Sequence, residues 1–251
     1  MTVGLSFSDR SKIYSTVRPE YPEVIFRALS EKCPSTDFCW DVGAGSGQAS
    51  VGAARFFKSV LATDLSKEQI AHAIAVSNVT YEVAGTEVPH VQSGSVDLII
   101  AACAAHWFDR PQFYREADRV LKPQGILALW SYFHPEVDES LDVHIRRYYR
   151  DLCGPLVPPE HNQYMDLYSS MDFPNWNSIE APVDAIRVRW GIGQLLGFMG
   201  TYSTRRKYQE LNQGMDPLDL VSNDIVQCWG DRNSSREVTL PLGFRIGVKP
   251  T

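Results

Sequence analysis

The segment from Cys39 to Asp64 reads CWDVGAGSGQASVGAARFFKSVLATD and decides the fold. A short apolar run ends in Asp41, and three glycines follow at alternate positions. A helical segment then leads to a second apolar run that ends in Asp64. The order of strand, glycine turn, helix, strand and acid is typical of the opening unit of a nucleoside-binding α/β sheet. The segment therefore predicts an α/β fold that binds a nucleoside-containing ligand.

The spacing of the glycines distinguishes two classes of nucleoside cofactor. A dinucleotide fingerprint requires Gly-x-Gly-x-x-Gly or Ala, and its third small position is here Gln48. Gly43, Gly45 and Gly47 satisfy the tighter Gly-x-Gly-x-Gly instead. Because such glycines also occur in turns that bind nothing, Asp64 adds necessary support: it ends the second strand, where a carboxylate can hold ribose hydroxyls. A nicotinamide dehydrogenase is disfavoured by Gln48.

The rest of the chain continues the alternation of strands and helices. The predicted elements are a helix over 66–76 capped by Ser66, strands over 79–84 and 95–101, a helix over 111–121 and a strand over 126–132. Two short runs, 237–240 and 244–248, predict an antiparallel hairpin. The fold class is thus α/β, Rossmann-like, with a seven-stranded, mostly parallel sheet and a terminal antiparallel hairpin.

The stretch from about 134 to 219 breaks this alternation and is rich in aromatic residues. We interpret it as a cap insertion that covers the ligand site, and the whole chain, 1–251, as a single domain.

The amino-acid composition narrows the expected partners and the expected cellular location of the protein. The 251 residues carry a net charge of −6, which argues against a general grip on nucleic acid. The five cysteines and six histidines show no metal-ligand spacing, so no metal is expected. The N-terminus lacks the pattern of a secretory signal, and no apolar run approaches the length of a membrane span. We therefore expect a cytoplasmic protein with neither membrane nor nucleic acid as partner; a monomer is compatible with the sequence.

Four motifs give the chain a resemblance to a known family. They are Tyr14-x-x-x-Arg18-Pro19-x-Tyr21-Pro22, Trp40-Asp-Val-Gly-Ala-Gly-Ser-Gly-Gln48, Ala62-Thr-Asp64 and Ala105-His-Trp-Phe-Asp109. With them the chain resembles the class I S-adenosylmethionine (SAM) methyltransferases, and within these the group that includes the trans-aconitate methyltransferases. The resemblance runs along nearly the whole length and implies SAM as cofactor.

The resemblance implies a set of cofactor-binding residues. The glycine turn would approach the methionine part of SAM, Asp64 the ribose, and Tyr14 the sulfonium. Relatives carry an acid in the loop after the third strand, whereas this chain has Thr86 there, so backbone groups would hold the adenine. The implied residues are Tyr14, Arg18, Asp41, Gly43, Ala44, Gly45, Gly47, Asp64, Leu65, Ala84, Gly85, Thr86, Ala101 and Ala102.

The sequence says less about the residues that bind the methyl acceptor. His106 follows the fourth strand at the carboxyl edge of the sheet, where ligands gather, and we predict it as a base or as a hydrogen-bonding partner of the substrate; a structural histidine is equally compatible. The catalytic candidates are therefore His106 and Tyr14. The candidate substrate-binding residues are His106, Trp107, Trp130, Tyr132 and Tyr202.

The predicted reaction is methylation of a small molecule at oxygen, with a small organic carboxylate as acceptor. A carboxylate is already an anion at neutral pH and needs no base, and no residue of the sequence stands out as a dedicated strong base. Arginines of the cap (Arg146, Arg147, Arg187, Arg189) are candidates to hold such an anion. The alternatives are a small-molecule N-methyltransferase and a catalytically silent SAM-binding partner protein.

Overall fold

The computed structural model describes residues 18–251, with the backbone alone for Glu160 and His161. These residues form two compact units. The sheet unit consists of Glu20–Tyr132, Gln163–Asp184 and Leu242–Thr251. The cap unit consists of residues 18–19, Phe133–Asn162 and Ala185–Pro241. Residues 163–184 thus belong to the sheet unit although they lie within the predicted cap stretch; the single-domain organisation with a cap stays a prediction.

The sheet unit is built on parallel strands. Their bounds are β1 Phe38–Val42, β2 Ser59–Asp64, β3 Val79–Val83, β4 Val96–Ala102 and β5 Leu121–Tyr132, followed by the two-residue β6, Asn177–Ser178. The pairs β1 with β2, β1 with β4, β2 with β3 and β4 with β5 are all parallel. The carboxyl ends of these five strands therefore meet at one edge of the sheet, as the Rossmann-like prediction requires.

The last strand differs from the predicted hairpin. Antiparallel pairing at the end of the chain is confirmed, but the runs 237–240 and 244–248 lie in one continuous strand, β8, Ser235–Val248. Its Leu242–Val248 half pairs antiparallel with β5, and its Ser235–Pro241 half pairs with β7, Ala185–Gly191. The intervening Pro-Leu-Gly therefore does not turn the chain back. Within residues 18–251, seven strands lie side by side in the order β3-β2-β1-β4-β5-β8-β6, and β7 pairs with β8 outside this order.

Helices connect the strands of the sheet unit. They are α1 Glu23–Ser30, α2 Gln48–Ala54, α3 Lys67–Ala71 and α4 Arg110–Val120, with a 3-10 turn at Ala105–Trp107. The predicted cap of α3 is confirmed, since Ser66 Oγ accepts a hydrogen bond from the Gln69 amide at 3.2 Å. The helix ends at Ala71 and not at 76, because the chain turns there to bring the Ile74 amide to the Ser46 carbonyl, at 3.1 Å.

One core cluster of the sheet unit lies between its strands and α4. Helical spacing predicts an inward face for Phe113, Ala117, Val120 and Leu121. All four are fully buried, the last as the first residue of β5, and they pack with the apolar side chains of β1 and β4. Tyr168 and Met171, from the 163–184 segment, belong to the same cluster. This segment is therefore part of the core that supports the carboxyl edge of β4.

The cap unit is mainly helical. It contains α5 Glu139–Arg146, a π-helical stretch Arg147–Leu152, α6 Ile192–Gly200, α7 Arg205–Leu211 and α8 Asp219–Trp229, together with β7. Its buried centre is aromatic: the Tyr149 ring lies 4.8 Å from the Tyr202 ring and 5.5 Å from the Phe133 ring, centroid to centroid. Among residues 18–251, no helix combines the length and apolar character needed to span a membrane.

Candidate active site

The glycine turn follows β1 and is fastened to the end of β2. The Thr63 carbonyl accepts hydrogen bonds from the amides of Gly43 and Ala44, at 2.8 and 2.9 Å. Gly43, Gly45 and Gly47 all have positive φ, and a Cβ on Gly43 would come within 2.5 Å of the Ala104 Cβ. The turn can therefore close against the residues after β4 only because position 43 has no side chain.

Asp41 is fully buried at the end of β1. Its Oδ2 accepts a hydrogen bond from Ser50 Oγ at 2.5 Å, while its Oδ1 is buried without a hydrogen-bond partner among residues 18–251. Burial raises the pKa of Asp41 to about 7; the nearby charge of Asp64 also raises it, and the bond from Ser50 opposes the rise. Because this pKa lies near neutral pH, a positive charge placed nearby would shift the Asp41 carboxyl group towards its ionised form.

Asp64 ends β2 and orients both neighbouring turns. Its Oδ2 accepts a hydrogen bond from the Gly45 amide at 2.8 Å, and its Oδ1 accepts one from the Ser66 amide at 2.8 Å. A carboxylate has about four acceptor positions, so two backbone bonds leave capacity for the hydroxyls of a ligand. The next residue, Leu65, is 79% exposed and presents an apolar surface beside this carboxylate.

The loop after β3 carries Ala84, Gly85 and Thr86, which are half-buried. Two residues of α4, which the sequence analysis did not single out, hold its continuation. Glu116 Oε1 accepts a hydrogen bond from the Val88 amide at 2.9 Å, and Arg119 donates to the carbonyls of Val88 and Val91 at 3.2 and 2.9 Å. An ion pair between Glu116 and Arg119, at 2.7 Å, keeps both side chains in place. The pair thereby fixes the backbone that directly follows the residues predicted to hold the adenine.

His106 lies in the 3-10 turn after β4, two residues beyond Ala104. Its side chain is 9% exposed, and its Nδ1 lies 2.9 Å from the phenol oxygen of Tyr168. The rings of Tyr164 and Trp107 lie 5.0 and 5.3 Å from the imidazole. Trp107 itself is 59% exposed. The structure thus places His106 among aromatic rings at the carboxyl edge of the sheet.

The residues at the ends of β4 and β5 are placed side by side. Ala101 is buried and Ala102 half-buried at the end of β4. Trp130 and Tyr132 lie on one face of β5, as alternation predicts. Both rings contact the Tyr21 ring, with centroid distances of 5.5 and 6.3 Å. Trp130 is fully buried and belongs to the core in this structure, whereas Tyr132 retains 6% exposure. Their roles in substrate binding stay predictions.

Three predicted site residues belong to the cap unit or fall outside the described residues. Tyr14 is outside residues 18–251. Arg18 belongs to the cap unit, where its guanidinium lies 5.7 Å from the centroid of the Phe198 ring. Tyr202 packs within the aromatic centre of the same unit. The four candidate anion-binding arginines, Arg146, Arg147, Arg187 and Arg189, are exposed.

Comparisons with known proteins give the family. Residues 40–129 match a family model described as a methyltransferase domain, and they contain the glycine turn, β2 to β4 and most of β1 and β5. A Dictyostelium discoideum protein described as a methyltransferase is 34% identical over 205 residues, which are 78% of this chain and 76% of that protein. The chain belongs to the SAM-dependent methyltransferases.

One solved structure and a second relative agree with this assignment. A structure described as a type II methyltransferase from Anaeromyxobacter dehalogenans is 36% identical, with a TM-score of 0.84 over 93% of this chain and 99% of that one. A Saccharomyces cerevisiae protein described as an S-adenosylmethionine-dependent methyltransferase is 28% identical over 58% of this chain and 54% of its own length. The cofactor of this methyltransferase is therefore SAM.

The residues at the carboxyl edge fit this cofactor. SAM carries an ammonium, a sulfonium and two ribose hydroxyls. The edge offers the buried Oδ1 of Asp41, which has no hydrogen-bond partner within residues 18–251, and the spare acceptor capacity of Asp64. Among the described residues, a Cβ built on Gly45 meets nothing within 4 Å, so this part of the chain leaves space for a ligand beside the backbone of the turn. Asp41, Gly45 and Asp64 are the residues that we propose to hold it.

We expect SAM to bind more tightly as the pH rises from about 5.5 to 7. In the free protein Asp41, with a pKa of about 7, is mostly protonated at the lower pH. A cationic ligand favours its carboxylate form, so binding releases a proton and the affinity changes by at most about tenfold per pH unit. The upper limit avoids titration of the ligand's own amino group, near pKa about 7.7–8.0. Calorimetry across this range, in buffers of different ionisation enthalpy, measures both the affinity and the proton release.

The matched control is Asp41→Asn, which should bind SAM with an affinity nearly independent of pH. Equal pH slopes in the two proteins would contradict the prediction. The stability of the free protein gives an independent check. Because the folded pKa of Asp41 lies above its ordinary value of about 3.9, its contribution to stability is complete below about pH 4 and is lost as the pH rises through 7.

Proposed function

We propose that this methyltransferase transfers the methyl group of SAM to a carboxylate oxygen of a small organic acid and forms a methyl ester, as a member of the group that resembles the trans-aconitate methyltransferases. The observation that carries the proposal is the setting of His106. It is a polar group in an aromatic environment, next to the turn predicted to bind the cofactor. Such a setting suits an acceptor with one polar group and an apolar body.

The proposed acceptor needs little chemical assistance from the chain. When bound, SAM supplies a methyl group on a sulfonium, an electrophile that an anionic oxygen attacks in line. The chain's contribution is then alignment, which in favourable cases is worth roughly 7–11 kcal/mol, and exclusion of water. Electron-rich rings such as that of Trp107 can stabilise a cation by about 0.5–2 kcal/mol. His106 would donate a hydrogen bond to the carboxylate and hold it in place.

Within residues 18–251, no group of three or more His, Cys, Asp or Glu side chains comes together as a metal site. Tyr14 remains a predicted member of the site near the sulfonium.

The proposal is tested by the chemistry of the product. The purified protein is incubated with methyl-labelled SAM and a metabolite extract, and labelled products are identified by mass spectrometry. We expect a product that releases labelled methanol on treatment with base, as an ester does. Parallel reactions without protein and with Asp64→Ala give the background.

Each other outcome overturns a distinct part of the proposal. A base-stable labelled amine would identify an N-methyltransferase, and a base-stable aryl ether would exclude the carboxylate. Binding of SAM by calorimetry without any labelled product, over a wide range of extracts, would indicate a catalytically silent SAM-binding protein.

A further inference from the structure

Tyr168 is the hydrogen-bond partner of His106 Nδ1, and it lies 62 positions away in the chain. Its side chain is fully buried, and its phenol oxygen lies 2.9 Å from His106 Nδ1. A phenol has one hydrogen to donate, whereas an imidazole nitrogen either donates or accepts. The direction of this bond therefore decides which nitrogen of His106 carries the hydrogen.

The surroundings of the phenol oxygen decide that direction. Within residues 18–251, His106 Nδ1 is the one side-chain hydrogen-bond partner of this oxygen. A buried phenol hydrogen is unfavourable without an acceptor, so the hydrogen needs this partner. Burial raises the pKa of Tyr168 well above its ordinary value, so the phenol keeps its hydrogen. His106 Nδ1, at 2.9 Å, is then its acceptor.

The backbone that carries Tyr168 is strained, and the fold holds it in place. Leu167 and Tyr168 are consecutive non-glycine residues with φ of 56° and 66°. This left-handed conformation is unfavourable for a residue that has a Cβ. A hydrogen bond from the Tyr168 amide to the Gln163 carbonyl, at 2.8 Å, stabilises it. Leu167 also packs directly on Gly243 of β8. A Cβ built on this glycine would lie 2.1 Å from the Leu167 carbonyl oxygen. Strain retained in this way is a mark of functional positions.

We propose that Tyr168 is a positioning residue that donates a hydrogen bond to His106 Nδ1 and thereby fixes the hydrogen of the imidazole on Nε2. In this form His106 is a hydrogen-bond donor and does not act as the base that deprotonates an acceptor. The acceptor it serves is then an anion, such as a carboxylate, and not a neutral alcohol or amine. This consequence for the acceptor rests on the proposed function, while the assignment of the hydrogen does not.

The test is nitrogen NMR of the ligand-free protein with ¹⁵N-labelled histidine, in which His106→Gln identifies the His106 signals. In the wild type we expect the hydrogen on Nε2 and an Nδ1 signal shifted as in a hydrogen-bonded acceptor. In Tyr168→Phe, which keeps the buried ring, the Nδ1 signal should move to the position of a free acceptor or the tautomers should mix. Hydrogen on Nδ1 in the wild type, or identical spectra in both proteins, would overturn the proposal.

The matched control is Tyr114→Phe. The Tyr114 phenol donates to the carbonyl of Asp172, so this variant also removes one hydrogen bond to the 163–184 segment but does not touch His106. It should leave the His106 signals unchanged; a change equal to that in Tyr168→Phe would reduce Tyr168 to a structural role.

Activity gives a separate measurement. Tyr168→Phe should slow the formation of base-labile product at least tenfold with an unchanged Kd for SAM, while Tyr114→Phe stays within about twofold of the wild type. Unchanged product formation in Tyr168→Phe would overturn the positioning role. If the wild type forms only base-stable product, the proposed carboxylate acceptor fails, but the NMR result still decides the position of the hydrogen.

Discussion

Replacement of Asp64 by alanine should weaken SAM binding by about 1–3 kcal/mol, or roughly 5- to 150-fold in Kd. The carboxylate holds the Gly45 and Ser66 amides through two hydrogen bonds of 2.8 Å, and we propose that it also accepts from the ribose. The alanine variant therefore removes a ligand contact and loosens the glycine turn. Calorimetric titration of the purified variant with SAM measures the loss.

The accompanying variants separate these two effects. Asp64→Asn retains one acceptor oxygen and should lie between the wild type and Asp64→Ala. Asp37→Ala removes a carboxylate that precedes β1, at the opposite edge of the sheet, where it accepts from Lys58 and Ser35. It should leave the Kd for SAM unchanged. Wild-type affinity in Asp64→Ala would show that the ribose is bound elsewhere.

The elements that local pattern determines could be predicted from the sequence. The order of β1, glycine turn, α2 and β2 follows from an apolar run, a glycine triplet and a helical segment. Buried runs of apolar residues also identified β4 and the inner face of α4. In these segments the residues of one element carry enough information to determine its type and its buried face.

Contacts between distant segments could not be predicted in this way. The pairing of His106 with Tyr168 depends on how the 163–184 segment packs on the sheet, and neither residue has a spacing that indicates the other. The same holds for Glu116 and Arg119, which read as ordinary charged residues of a helix although they fix the loop after β3. A histidine in an uncharacterised turn signals a possible site, but its partner comes from tertiary structure.

The end of the chain shows a different limit of prediction from sequence. Pro-Leu-Gly at 241–243 is a typical turn signal, yet the chain runs straight through it, because the two halves of β8 pair with different strands. Gly243 serves there to admit the backbone of Leu167. A glycine that permits close packing and a glycine that permits a turn look the same in a sequence.

That ambiguity can be resolved for the glycine turn by comparing two alanine variants. Gly45 and Gly94 have φ of 56° and 65°, and a Cβ on either would meet nothing within 4 Å in the part of the chain that the structure describes. Each amide also donates one hydrogen bond, to Asp64 Oδ2 and to the Arg119 carbonyl, at 2.8 and 3.0 Å. Gly45→Ala and Gly94→Ala should therefore lose similar amounts of stability, roughly 1–2 kcal/mol each.

The two variants should differ sharply in SAM binding. Gly45 lies in the turn that we propose to approach the cofactor, where a methyl group would occupy the space that the ligand needs. Gly94 precedes β4, at the amino edge of the sheet. We expect the Kd for SAM to rise at least tenfold in Gly45→Ala and to stay within about twofold in Gly94→Ala, with thermal unfolding as the check on stability. Equal affinities in the two variants would mean that the glycine at position 45 serves only the conformation of the turn, and the cofactor would have to bind without close approach to its backbone.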